Sequence, residues 1–197
     1  MDDERPFRVA LLASGNGSNA ERIIRHFEQH PNVSISLLLS NRADAFALVR
    51  AERLGIHAGV FTREEWTGGA VLQRLRQAGI THVVLAGFLW LVPADLIREY
   101  PDRIINIHPA LLPSFGGKGM YGARVHEAVK NSGATETGIT IHLVNEHYDE
   151  GQVLFQASCP VTPDDTPDTI AAHVHELEYR HFPRVIEDWI FQSTSRN

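Results

Sequence analysis

The chain has 197 residues, of which 43% are hydrophobic and 21% charged, and this balance predicts a soluble, folded protein rather than a disordered one. Its formal net charge of −6 at pH 7 argues against a protein that wraps nucleic acid, which needs a basic surface. The single cysteine, Cys159, excludes an internal disulfide, and the acidic N-terminus lacks signal-peptide features, so we expect a cytoplasmic protein.

Short apolar runs alternate with helical periodicity over the first half of the chain. The apolar runs predict strands at residues 7–14, 34–40, 57–61, 82–86 and 103–108. Between them, hydrophobic residues recur at helical spacing, which predicts helices at 20–27, 43–54, 63–77 and 93–99. Strands that alternate with helices in this way are typical of a parallel sheet with helices on both faces.

The pattern changes after Pro109. A loop rich in glycine and proline runs to Gly122, and a short helix is predicted at 123–130. Two longer strands, at 137–145 and 152–161, precede a C-terminal helix that begins at Thr166 and continues towards Trp189. The sequence therefore predicts one α/β domain over residues 1–197, with a Rossmann-like, mostly parallel sheet to which the C-terminal part adds longer strands and a helix.

A glycine-rich turn, SGNGSN at residues 14–19, joins the first predicted strand to the first helix. Glycines let the backbone approach a ligand closely, and the start of a helix offers free N–H groups to an anion such as phosphate. The turn also fits the loose dinucleotide pattern, with Arg42 available for the 2′-phosphate of NADP. A turn without any ligand would explain the same glycines, so three interpretations stay open.

Asn106 and His108 stand two residues apart at the end of the fifth predicted strand, so their side chains point the same way. The carboxyl end of a parallel strand faces the ligand crevice in this fold class. An amide beside an imidazole can stabilise an oxyanion and move a proton, although both side chains would also suit plain contacts with loop backbone. We interpret His82 and His142, inside predicted strands, as structural, and no histidine spacing indicates a metal site.

Four segments occur in a fixed order: the turn at 14–19, LAGF at 85–88, INIHPALLP at 105–113, and Asp149 followed two residues later by Gly151. Together they resemble the folate-dependent formyltransferases, and the resemblance extends from about Arg8 to Trp189. It implies transfer of a formyl group from 10-formyltetrahydrofolate to a phosphorylated amine. The expected acceptor is glycinamide ribonucleotide of purine biosynthesis.

The resemblance also implies a role for each part of the site. The expected catalytic set is Asn106, His108 and Asp149, and the expected phosphate site is Gly17, Ser18 and Asn19. An N-terminal half, about 7–100, would bind phosphate, and a C-terminal half, about 101–192, would carry the catalytic and folate-binding residues. The further implied contacts are Glu178 for the amine substrate, and Arg63, Leu89, Trp90, Leu91, Val92, Asn106, Asn145 and Asp149 for the folate.

In the implied mechanism, protonated His108 stabilises an oxyanion and Asp149 supports that positive charge. Asp149 would then hold the pKa of His108 above its ordinary value of about 6.5. Gly17 would leave the space that a phosphate occupies. Two simpler interpretations stay open: Asp149 as an ordinary turn residue, and 89–92 as core packing at the end of a strand.

Two segments depart from the usual family pattern. The stretch after Leu-Leu-Pro reads SFGGKGMYG at 114–122 instead of a P-G-x-H-T-H type, and Glu150 replaces the first glycine of Asp-Gly-Gly. The alternatives are formyl transfer to an amino sugar or to methionyl-tRNA, an NADP-dependent oxidoreductase, or a nucleotide-binding module that would need the glycine-rich turn but not Asn106, His108 and Asp149 together. We expect small-molecule substrates only, without metal, nucleic acid or membrane, and a monomer or homodimer.

Overall fold

A computed structural model describes residues 6–194, which form one seven-stranded sheet and seven helices. The strands are β1 (Phe7–Leu12), β2 (Val33–Ser40), β3 (Ala58–Val60), β4 (His82–Leu85), β5 (Ile104–His108), β6 (Glu136–Leu143) and β7 (Val153–Pro160). The helices are α1 (Ser18–Phe27), α2 (Phe46–Arg53), α3 (Arg63–Thr67), α4 (Ala70–Gln77), α5 (Ala94–Glu99), α6 (Ala123–Ser132) and α7 (Pro167–Thr194).

The strand order across the sheet is β3-β2-β1-β4-β5-β6-β7. Strands β1 to β5 pair in parallel, whereas β6 and β7 pair antiparallel at the C-terminal side of the sheet. The Rossmann-like, mostly parallel α/β fold predicted from the sequence is confirmed. The strand order reverses beside β1, and in such sheets the ligand crevice lies at the carboxyl ends of the strands around the reversal.

Alternate residues of the buried strands supply two separate cores. Val9 and Leu11 face a core that α1, α2, α6 and α7 complete, whereas Ala10 and Leu12 face a core completed by α3, α4 and α5. All four of these β1 residues have no exposed surface. Burying a Leu or Ile side chain contributes about 1.5–3 kcal/mol, so each core stabilises its own layer of helices on the sheet.

The predicted helix at 63–77 was wrong as a single element. The chain forms α3 and α4 instead, and Gly68 and Gly69 separate them. Gly69 takes a left-handed conformation with φ of +81°, which ends one helical path and starts another. Thr62 begins α3 with a capping box: its side chain accepts from Glu65 N, and the Glu65 side chain accepts from Thr62 N.

The C-terminal helix α7 begins as the sequence predicted, because Thr166 Oγ1 accepts a hydrogen bond from the backbone N–H of Thr169 at 3.2 Å. Trp189 Nε1, near its far end, donates to the carbonyl oxygen of Asp102 at 3.1 Å. The helix therefore joins the cavity side of the molecule to the start of β5. Within residues 6–194, no helix combines the length and hydrophobicity needed to cross a membrane.

Candidate active site

A cavity of about 420 Å³ opens at the carboxyl ends of β1, β4 and β5. This volume lies in the range that small-molecule sites occupy. The cavity brings together nearly all of the predicted site residues: Gly17, Ser18, Asn19, Leu89, Trp90, Leu91, Val92, Asn106, His108, Asn145, Asp149 and Glu178. Arg63 does not line the cavity, but its guanidinium lies over the ring of Trp90, 4.7 Å from the ring centre.

The glycine-rich turn enters α1 without any side chain that caps the helix. The first N–H groups of α1 therefore lack a side-chain acceptor and are available to an anion. Gly17 has a left-handed backbone, with φ of +76°, and a Cβ added there would lie 2.5 Å from Cα and Cβ of Ala47 in α2. A side chain at Gly17 would therefore meet α2, so the expectation that it would fill the space of a phosphate is wrong, whereas phosphate binding by the turn itself stays a prediction.

Asn106 and His108 project from the same face of β5, as the strand alternation predicted. His108 is 3% exposed, and its Nδ1 lies 3.5 Å from Oδ2 of Asp149. Its Nε2 donates to the carbonyl oxygen of Phe115 at 2.8 Å, because a carbonyl can only accept. Both ring nitrogens thus face acceptor oxygens, and these two contacts stabilise a proton on the ring against the effect of its burial.

His142 completes the site, so the interpretation of this histidine as purely structural was wrong. It pairs with Asn106 across β5 and β6, and its Nε2 lies 3.1 Å from Asn106 Nδ2 and 3.6 Å from Asp149 Oδ1. Its Nδ1 donates to the carbonyl oxygen of Leu143 at 2.9 Å, which leaves Nε2 free to accept from the Asn106 amide. His142 therefore fixes the orientation of the Asn106 amide and leaves its second N–H for another partner.

Burial and nearby charges shift the pKa values of His108 and Asp149 in opposite directions. Burial lowers the pKa of His108, and the Asp149 carboxylate and the Phe115 carbonyl oppose it without restoring the usual value. The expectation that the pKa of His108 exceeds 6.5 was wrong, because burial outweighs the carboxylate. For Asp149, burial raises the pKa, but contact with His142 and the nearby His108 bring it below its usual range.

Two loops hold Asp149 against β5. Its Oδ2 accepts from the backbone N–H of Gly117 at 2.9 Å, which links the 144–152 connection to the 109–122 loop. Asp149 and Phe115 both have left-handed backbones, with φ of +57° and +56°, a conformation that is strained for a bulky residue such as Phe115. Gly151 has no room for a Cβ, which would overlap the carbonyl oxygen of Leu143, so the tight return after Asp149 requires glycine.

An apolar wall faces these polar groups. The segment after β4 is not a strand, and Leu89 and Leu91 are 37% and 41% exposed, while Val92 is buried. The interpretation of 89–92 as pure core packing was therefore wrong for Leu89 and Leu91. The segment is held by two hydrogen bonds: Leu89 N donates to Ser14 Oγ at 3.1 Å, and Leu91 O accepts from Trp66 Nε1 at 2.9 Å.

Helices α1 and α7 supply a polar wall of the cavity. Glu178 is 4% exposed, and its Oε2 accepts from Asn19 Nδ2 at 2.8 Å and contacts Nδ1 of His175 at 2.9 Å. The hydrogen bond to Glu178 raises the pKa of His175. His175 and His126, which both line the cavity, were not singled out as site residues from the sequence, because helix periodicity alone does not tell which histidine faces a cavity.

Two other expectations concern ligands. Arg42 lines the cavity, but its guanidinium pairs with Asp44 at 2.8 Å, so no observation favours the 2′-phosphate of NADP as its partner. The part of the chain that the structure describes contains no group of three His, Cys, Asp or Glu side chains placed to hold a metal ion.

Asn145, at the turn after β6, accepts from His147 N through its side chain at 2.9 Å.

Comparison with known proteins agrees with this geometry. The formyl transferase family model matches residues 7–186. A chloroplastic phosphoribosylglycinamide formyltransferase of Arabidopsis thaliana is 40% identical over 93% of this chain, which spans 65% of the length of that relative. The phosphoribosylglycinamide formyltransferase of Haemophilus influenzae is 33% identical, with 96% of this chain and 89% of that protein covered. The crystal structure of the enzyme of that name from Brucella melitensis is 35% identical, with a TM-score of 0.84 over 94% of this chain and 96% of the other. This chain therefore belongs to the formyl transferase family.

Proposed function

We propose that this protein transfers the formyl group of 10-formyltetrahydrofolate to the amine of glycinamide ribonucleotide, a step of purine biosynthesis. The observation that carries the proposal is the meeting of Asn106, His108 and Asp149 in one cavity, with an apolar wall on one side and an uncapped helix start on the other. The names of the Arabidopsis and Haemophilus relatives support the same acceptor.

The apolar wall suits the formyl donor. A pterin is a flat ring system with polar edges, and Leu89 and Leu91 offer exposed apolar surface that such a ring can cover. Arg63, which lies over the ring of Trp90, supplies a cation close to that wall. This cation suits the carboxylates that a folate carries. We assign Leu89, Trp90 and Leu91 to the donor on these grounds; Val92 and Asn145 line the same cavity, and their role in binding the donor stays a prediction from the family resemblance.

The opposite wall suits the acceptor. The uncapped N–H groups at Ser18 and Asn19 offer a phosphate both donors and the positive end of the α1 dipole. Glu178 lies next to that turn through its hydrogen bond with Asn19, and a buried carboxylate can accept from an amine or a hydroxyl. We assign Gly17, Ser18, Asn19 and Glu178 to the ribonucleotide.

10-Formyltetrahydrofolate supplies an activated formyl group, and the chain supplies the charge stabilisation. When the acceptor amine attacks the formyl carbon, negative charge develops on the formyl oxygen. The intermediate then collapses: the bond between the formyl carbon and N10 breaks, its electron pair stays on N10, and tetrahydrofolate leaves. The nitrogen of the acceptor loses a proton and N10 gains one, so the reaction has no net proton change. The second N–H of Asn106 is free to donate to that oxygen, because His142 takes up the first. A protonated His108 adds a positive charge beside it, and Asp149 stabilises that charge at 3.5 Å.

His108 is not yet free to donate in the conformation of this structure. Its Nε2 is already bonded to the carbonyl oxygen of Phe115, and its Nδ1 faces Asp149. Donation to the formyl oxygen therefore requires that one of these contacts is given up. The Phe115 carbonyl is the one to move, because it belongs to a loop held in a strained backbone conformation.

The test is a formyl-transfer assay with purified protein, 10-formyltetrahydrofolate and glycinamide ribonucleotide. We expect turnover by the wild type, and a fall in kcat of roughly two to four orders of magnitude in His108→Ala and in Asn106→Ala. His57→Ala, which changes an exposed histidine outside the cavity, serves as the matched control and should keep full activity. Near-normal turnover in a folded His108→Ala variant would contradict the proposed mechanism. If the wild type formylated only an amino sugar, the proposed acceptor would be wrong.

Several expectations stay predictions. They are the cytoplasmic location, the division into a phosphate-binding half and a catalytic half, the restriction to small-molecule partners, and the monomeric or homodimeric state.

A further inference from the structure

His126 is an exception among the buried histidines. It lies on α6, is 3% exposed and lines the cavity, yet its Nδ1 is sealed from water without a hydrogen-bond partner. By contrast, His82 is bonded to Thr81 and His142 to Leu143. Since Nδ1 is sealed and the ring lines the cavity, Nε2 is the nitrogen left for a molecule in the cavity to reach.

An unpaired imidazole at this depth reduces the stability of the fold. Burying a polar group without a partner is unfavourable, and an apolar ring of similar size would fill the same space without that penalty. Residues that reduce stability in this way are retained where function needs them. A ligand cannot reach the sealed Nδ1, so the reason to keep a histidine here lies in Nε2, and its place in the cavity wall indicates a partner for Nε2 that arrives with a ligand.

The neighbours of His126 place it on the acceptor side of the cavity. Its ring packs edge-to-face against the ring of His175, with 6.4 Å between centres. His175 contacts Glu178, and Glu178 accepts from Asn19 in the glycine-rich turn. A continuous polar wall thus runs from α6 through α7 to α1, away from the apolar segment at 89–92.

The protonation state restricts what kind of group His126 can meet. Burial lowers its pKa, and the nearby His175 lowers it further, so the ring is neutral near pH 7. A neutral imidazole has one donor and one acceptor and lacks the charge that would favour a phosphate. Its best partner is a neutral group such as a hydroxyl or an amide, of the kind that a ribose or a carboxamide carries.

We propose that His126 is a positioning residue that hydrogen-bonds a hydroxyl or amide group of the amine substrate. This assignment rests on the proposed function, because it takes the ribonucleotide as the occupant of the acceptor wall. His126 takes no part in the bond-forming step. It holds the acceptor so that the amine reaches the formyl group.

The experiment compares the wild type with His126→Phe and His126→Gln by calorimetric titration of glycinamide ribonucleotide and, separately, of a folate analogue. Phenylalanine keeps the ring and removes both nitrogens, so we expect acceptor Kd to rise roughly tenfold while folate Kd is unchanged. Glutamine restores a polar group near the position of Nε2 and should recover part of the affinity. The melting temperature of His126→Phe should equal or exceed that of the wild type, because an unpaired polar group has been removed.

His82→Phe is the matched control, since it replaces a buried and hydrogen-bonded histidine outside the cavity and should leave both Kd values unchanged. An unchanged acceptor Kd in His126→Phe, or an equal loss of folate affinity, would overturn the assignment. If the wild type formylates the ribonucleotide and His126→Phe binds it with an unaltered Kd, only this inference is overturned. A wild type that does not bind the ribonucleotide overturns the proposed function and this assignment together.

Discussion

Replacing Asp149 by Asn tests the electrostatic centre of the site with little change in shape. Asparagine tolerates the left-handed backbone that Asp149 adopts, and its amide oxygen can still accept from Gly117 N. The substitution removes only the negative charge beside His108. The pKa of His108 is already below its ordinary value because of burial, and Asp149 is the main group that opposes burial. Without the carboxylate, the pKa of His108 should fall further.

The size of this fall follows from the geometry. Two unit charges 3.5 Å apart interact by roughly 4–5 kcal/mol at an effective dielectric constant of about 20, which sets an upper limit of about three and a half pKa units. An opposite charge at this range shifts a pKa by about one to three units in proteins. If protonated His108 supports turnover, kcat at pH 7 should drop roughly tenfold to a thousandfold, since each pKa unit changes the protonated fraction about tenfold. The deficit should shrink at acid pH, where bulk protons restore the imidazolium.

The measurement is an NMR titration of the histidine rings in the wild type and in Asp149→Asn, together with kcat as a function of pH. Asp165→Asn is the control variant. It removes a carboxylate whose pKa is held at about 2 by the backbone N–H of Thr162 and the hydroxyl of Thr169, outside the cavity. It should leave the pKa of His108 unchanged. A pKa of His108 that stays constant or rises in Asp149→Asn would refute the pairing and return Asp149 to the role of a turn residue.

Three further outcomes can be checked with single substitutions. Leu91→Asp should keep the fold, because Leu91 is 41% exposed, but should weaken folate binding; an unfolded variant with unaltered folate affinity per folded molecule would contradict this. Gly17→Ala should destabilise the protein by about 1–3 kcal/mol through contact with Ala47, whereas Gly15→Ala, with open space at its Cβ, should be tolerated; equal melting temperatures would refute the difference. Burial lowers the pKa of His82 to about 4, so the unfolded chain binds this proton first as pH falls. About 3 kcal/mol of stability should be lost between pH 6.5 and 4, and His82→Phe should flatten that part of the denaturation profile.

Local patterns were sufficient for most of the fold. Strand alternation placed Asn106 and His108 on one face of β5, and the sequence of strands and helices predicted the parallel sheet. The break at Gly68 and Gly69 was missed, because hydrophobic spacing continued across it and only backbone conformation shows the interruption. A residue's own propensity does not report such a change of direction.

The parts of the site that the sequence missed depend on contacts between distant segments. His142 enters the site because β6 pairs antiparallel with β5 in a register that places it opposite Asn106. No local signal near His142 specifies that register. The reduced pKa of His108 has the same origin, since its burial depends on the 109–122 loop, where Phe115 contacts the ring. The catalytic role of Asp149 was predicted only from the resemblance to a family, because its position in a turn does not by itself indicate a catalytic residue.

The two separate cores have a consequence for how this protein can evolve. The apolar wall of the cavity, with Phe88 and Val92, belongs to one core. The polar wall is formed by α1, α6 and α7, which pack into the other core through residues such as Val125 and Val174. The sheet separates the two layers of helices, so a substitution in one layer does not change the packing of the other. Under the proposed function, recognition of the formyl donor can stay constant while recognition of the amine changes. Directed evolution towards a new amine should accordingly randomise the helical acceptor layer and leave the 86–92 segment untouched.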